Sequence, residues 1–90
     1  MLEEARKILR ITSSAFDSEI LGLLDAARLD LILAGVQESK ADQVDPLITR
    51  AMLTYVKAHF GWDNPDHDRL LNAYTNIKQH LLLSKEYTDV

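Results

Sequence analysis

Apolar side chains recur along this chain at three- and four-residue steps, in four blocks separated by polar or glycine-containing breaks. In the first block Leu2, Ala5, Ile8 and Leu9 share one face, with Glu3, Glu4, Arg6 and Lys7 on the other. Its acids come early and its bases late, as the helix dipole favours, so the spacing predicts a short amphipathic helix. Ile11-Thr12-Ser13 breaks the pattern, and Ser14 with Asp17 three positions on has the form of a capping box. The helix it opens is the longest in the chain: Ile20, Leu24, Ala27, Leu31 and Ala34 form a stripe, Leu21, Leu23, Ile32 and Leu33 flank it, and Gly35 supplies the stop. So wide an apolar surface fits either a helix packed between two neighbours of its own domain or one partly covered by another subunit.

Val36 to Val44 is polar and aperiodic and reads as a surface loop. The third block is punctuated at both ends. Asp45 is an N-cap acceptor, Pro46 suits the first helical position, and Gly61 takes the left-handed conformation that ends a helix. Between them Leu47, Ile48, Ala51, Met52, Tyr55, Val56 and Phe60 line one face, which makes this the core helix. Gly61-Trp62-Asp63-Asn64-Pro65 is a compact turn, with Trp62 either folded over the helix ends or presented as an interface anchor. The last helix runs from about Asp66 to Leu83 on Leu70, Tyr74, Ile77 and Leu81, with Leu71 and Leu82 beside them and Asn76, Lys78 and Gln79 pointing away. Residues 84–90 lack a helical period and read as a flexible or partner-binding tail, with Tyr87 as its anchor. The expected fold is all-α: a single domain over 1–90, a small bundle of about four helices with an extended C-terminal tail.

Ninety residues suffice for one core but enclose little of an active site. Lys and Arg number 10 against 14 Asp and Glu, and the excess lies in the first half: residues 1–45 hold five basic and nine acidic side chains, residues 46–90 five of each. Without a basic cluster, tight binding to a phosphate backbone is disfavoured. No apolar run approaches the roughly 20 residues of a membrane span, and Glu3 and Glu4 stand where a signal peptide would be basic. With no cysteine there is neither a disulfide nor a thiolate metal site, which fits synthesis in a cytosol.

The densest polar cluster is Asp63, Asp66, His67 and Asp68. These are donors suited to a divalent metal, but Pro65 interrupts the segment, a closing acid is missing, and acids in a first helical turn already serve the dipole. His59 and His80 lack a second imidazole at helical metal-site spacing. Nothing resembles a nucleophile elbow or a glycine-rich phosphate loop, so no catalytic, cofactor or metal residue is expected. A helix-turn-helix reader would expose Arg69, Asn72, Asn76, Lys78 and Gln79, but Asp66 and Asp68 at the end that enters the groove would repel phosphate.

Taken in order, Leu2-Glu3-Glu4, Ile8-Leu9-Arg10-Ile11-Thr12, Phe16-Asp17-Ser18-Glu19-Ile20, Leu24-Asp25-Ala26-Ala27, Leu33-Ala34-Gly35-Val36, Asp45-Pro46-Leu47-Ile48 with Ala51-Met52 and Tyr55-Val56-Lys57, and Phe60-Gly61-Trp62-Asp63-Asn64-Pro65 form a pattern. The whole resembles the head-tail connector proteins of long-tailed phages and prophages, the small helical head-completion adaptors. The aromatic turn at 60–64 departs from the tyrosine, asparagine and arginine segment that many members carry there.

The resemblance implies a structural, non-enzymatic virion protein, made in the bacterial host cytoplasm and placed at the head-tail junction. Its partners would be copies of itself in a ring of about a dozen closed by rotation, the portal protein, and a downstream stopper or tail-completion protein. Genomic DNA would pass through the channel without sequence-specific binding, helped by the acidic first half if that faces the lumen. Neither a cofactor nor a membrane is implied. Interface residues under this reading are Trp62 and Tyr87, with Arg6, Lys7 and Arg10 as partners for a neighbour's acids. The competing expectation is a stand-alone helical dimer that regulates or scaffolds a host protein; an enzyme ranks behind both.

Overall fold

Five helices follow one another in the computed structural model, which describes residues 1–42, 45–61 and 63–88: α1 (Leu2–Leu9), α2 (Asp17–Ala34), α3 (Glu38–Ala41), α4 (Pro46–His59) and α5 (His67–Leu83). No strand forms among the described residues; Val36 and Thr88 make one isolated antiparallel bridge. The all-α expectation holds, and the molecule measures 41 × 24 × 19 Å.

α4 is the centre. It packs against α1, α2 and α5, and Ile48, Ala51, Met52, Val56 and Ala58 are buried along it. Its start follows from the sequence, because Asp45 Oδ1 accepts from the amides of Leu47 (2.8 Å) and Ile48 (3.2 Å) ahead of Pro46. Its end does too, with Gly61 at φ 82° one residue past the last turn. α2 contributes Ile20, Leu24, Ala27 and Leu31 to the core and closes on Gly35 at φ 129°, where an added Cβ would meet Leu82 of α5 at 3.2 Å.

The start of α2 differs from the capping box. Neither Ser14 nor Asp17 caps the helix through its side chain; Phe16 holds the N-cap position, and Asp17 instead accepts a bidentate ion pair from Arg6. That pair ties the last turn of α1 to the first turn of α2, and the Arg6 guanidinium holds the Asp17 carboxyl below its ordinary range. A nearby cation gives an acid in that first turn a better partner than a helix amide. α1 ends with Arg10 in the left-handed region at φ 59°, so that the Ile11 amide reaches the Arg6 carbonyl at 2.9 Å.

The segment expected to be a loop contains α3, a single turn. Four residues are too few to show a helical period, and tertiary contacts supply what periodicity does not. Val36 and Ala41 are buried, and Arg28 of α2 donates to both Glu38 and Asp42. The C-terminal segment differs in the same way: residues 84–88 do not run out as an extended tail. The Ser84 carbonyl accepts from the amides of Tyr87 (3.1 Å) and Thr88 (3.3 Å), and the Tyr87 carbonyl accepts from the Gln37 amide at 2.8 Å. Tyr87 is only 7 % exposed, and its hydroxyl donates to Asp45 at 2.9 Å.

A polar bridge links α2 to α5. The Tyr74 hydroxyl, on a side chain 2 % exposed, donates to Asp30 Oδ2 at 2.6 Å, and Lys78 Nζ reaches the same oxygen at 3.1 Å. Lys78, expected to point away, is thus drawn back to α2. Burial and the bonded carboxylate together push the Tyr74 hydroxyl far above its ordinary range.

Asp45 therefore serves two elements at once. Tyr87→Phe should cost about 1 kcal/mol, read as a drop of about 4–8 °C in Tm. Asp45→Ala should cost about 2–3 kcal/mol by losing the cap as well. Their combination, measured by denaturant unfolding, should fall short of the sum, because both remove the same bond.

Candidate docking surfaces

Helical periodicity gives α2 a second apolar face. Leu21, Leu29 and Leu33 lie on one four-residue row with Asp25, and they are 51 %, 46 % and 86 % exposed. This row points away from the buried row Ile20, Leu24, Ala27 and Leu31. Gly22 lies beside it, with nothing within 4 Å of an added Cβ. The breadth of the apolar surface on this helix is thus not used up inside the chain.

A groove of about 550 Å³ runs over the outer side of α4. Pro46, Thr49, Arg50, Leu53, Thr54 and Lys57 form its floor, with the N-cap Asp45 at one end, Ile8 of α1 on one side and Leu70 of α5 on the other. These α4 positions are opposite the helix's buried face, and Arg50 and Lys57 are exposed there. Sequence reasoning missed this site, because its two walls come from helices remote in sequence.

The interface residues expected from sequence are scattered. Arg6 is engaged with its own chain's Asp17. Lys7 and Arg10 are exposed and make no salt bridge among the described residues. Tyr87 is an internal anchor on Asp45, and Trp62 lies outside the described residues.

The α4–α5 joint uses its polar residues for structure. The Asn64 side chain donates to the Lys57 carbonyl at 2.8 Å, and its oxygen accepts from the Asp66 amide at 3.0 Å. His67 Nδ1 sits 2.7 Å from the Ala58 carbonyl. Asp66 pairs with Arg69 at 3.3 Å. No group of metal-binding side chains forms among the described residues. His59 is half-buried, its ring 4.2 Å from that of Tyr55 and 5.4 Å from that of His67.

Burial, and then the neighbouring His67, lower the pKa of His59 below its ordinary 6.5, with Asp30 opposing. The native state therefore holds a proton there less readily than the unfolded chain. Stability should be full above pH 6.5 and decline as pH falls below it through the folded-state value. Thermal melts between pH 7 and pH 5 should show this slope, and His59→Leu should flatten it.

The comparisons agree with the residue pattern. A family model described as phage connector protein matches residues 1–88. No curated protein and no solved structure matches the chain. The family model spans α1 through the Tyr87 anchor, so the match covers every helix and both surfaces described above. This chain belongs to the phage connector protein family, whose members are structural proteins of the head-tail connection.

Proposed function

We propose that the protein is a head-tail adaptor that assembles as a ring beneath the portal, extends the DNA channel and joins the packaged head to the tail. Family membership supports the connector role. The observation that carries the ring is the exposed leucine row of α2: a free monomer gains nothing from Leu33 at 86 % exposure, whereas a neighbouring subunit can bury it. A head-to-tail contact that closes by rotation produces a ring.

Other features fit the same reading. No helix among the described residues is long and apolar enough to cross a membrane. The acidic first half, placed toward the lumen, would repel DNA phosphate and let the genome slide without sequence-specific contact. Carboxylates that tie one element to another support scaffolding: Asp17 with Arg6, Asp42 with Arg28 and Asp30 with Lys78. Tyr87 secures residues 84–88 to the start of α4. Loosening that anchor would free the segment for the portal, and Leu47 and Leu83 stand exposed close to it in sequence. The stopper or tail-completion protein would then meet the opposite rim of the ring.

Light scattering across a concentration series, alone and with the portal of the same phage, tests this. A closed multimer, or a monomer that multimerises only on the portal, is the expected result. A tight dimer indifferent to the portal would overturn the adaptor reading in favour of a two-fold helical module.

A further inference from the structure

The leucine row of α2 and the groove over α4 match in length, chemistry and charge. Twelve residues separate Leu21 from Leu33 and eleven separate Pro46 from Lys57, which at the α-helical rise gives lengths of ~18 Å and ~17 Å. Leu21, Asp25, Leu29 and Leu33 form a ridge along an i, i+4 row, the kind of ridge that seats in a groove on another helix. The groove offers Leu53 on its floor between Ile8 and Leu70.

Charge decides what fills the groove. Asp25 interrupts the ridge, while Arg50 and Lys57 edge the groove, and none of the three makes a salt bridge among the described residues; the groove's one carboxylate, Asp45, is already bonded to the Leu47 and Ile48 amides and the Tyr87 hydroxyl. A two-fold contact of ridge on ridge, with the rows antiparallel, would lay the Asp25 carboxylate on the other copy's Leu29, and groove on groove would leave the exposed leucine row uncovered. Ridge in groove puts acid beside base. Gly22 points the same way: a glycine inside a helix weakens that helix alone and admits close approach by another backbone, and beyond its own helical neighbours nothing lies within 4 Å of an added Cβ.

We propose that the groove over α4 receives the α2 ridge of a second copy of this chain, Leu21, Leu29 and Leu33 lying against Ile8, Leu53 and Leu70 with Asp25 between Arg50 and Lys57. This rests on the ring reading and assigns the two surfaces that such a ring requires. The ridge points away from α4 and the groove lies on the side of α4 opposite its buried face, so each copy offers one surface forward and the other back. The contact is heterologous and repeats from copy to copy.

A charge-exchange experiment tests the assignment, using the full chain with the portal of the same phage present if assembly requires it. One variant carries Asp25→Arg, the other Arg50→Glu with Lys57→Glu; all three positions are exposed, and circular dichroism checks that both variants fold. Each alone should lose the multimer. Their equimolar mixture should regain multimers in which the two variants alternate, because each variant's ridge is compatible with the other's groove and with no groove of its own kind. One chain bearing all three substitutions should recover the wild-type mass.

A second measurement uses the absence of cysteine from the natural chain. With Leu29→Cys and Thr54→Cys together, a short bis-maleimide should produce a ladder of covalent multimers, whereas Leu29→Cys alone should produce none. Charge variants that keep the wild-type multimer would overturn this assignment while leaving the ring intact. Dimers from Leu29→Cys alone would overturn it in favour of a two-fold contact. A wild-type chain that stays single with and without the portal would overturn both the assignment and the ring.

Discussion

The burial of α4 is the constraint on which the rest of this structure depends. A chain of ninety residues has room for one central helix, and here α1, α2 and α5 all pack on it. Ile48, Ala51 and Val56 are fully enclosed, while the opposite side of α4 is left as the floor of an open groove. A helix so placed must start and stop at fixed residues, since a slip of one position would rotate its apolar face by about 100°. Asp45 and Gly61 set those limits, and Asn64 and His67 bind the final carbonyls.

Polar contacts supply the long-range links that so small a core leaves few apolar groups to make. Asp45 joins the start of α4 to Tyr87, Asp30 joins α2 to Tyr74 and Lys78, and Arg6 joins α1 to Asp17. The Asp30 carboxyl shows the balance: burial raises its pKa, but the hydrogen bonds from Tyr74 and Lys78 outweigh this, and the net position is below the ordinary value. Exposed ion pairs such as Arg28 with Glu38 and Asp42 add little stability individually. They fix where α3 sits instead.

A connector protein has two demands on its apolar residues, one for folding and one for assembly. α2 divides them by face: Ile20, Leu24, Ala27 and Leu31 go inward, and Leu21, Leu29 and Leu33 remain outside. Such a division lets the core close without the outer leucines. It also leaves a row of apolar side chains outside the core.

Much of the architecture was legible in the sequence, because helical periodicity and end signals are local. The limits of α4 followed from Asp45, Pro46 and Gly61, the end of α2 from Gly35, and the core faces of α1, α2 and α5 from three- and four-residue spacing. The ordered set of motifs along the chain carried the family as well. Tertiary structure alone decided what depends on residues distant in sequence. It turned Asp17 from a cap into a partner of Arg6, made a helical turn of residues 38–41, and folded Tyr87 back onto Asp45, 42 positions away. It also divided the leucines of α2 between core and surface, and it assembled a groove from Ile8, Leu53 and Leu70 on three helices. Periodicity says that a residue shares a face, but only packing says whether that face is covered.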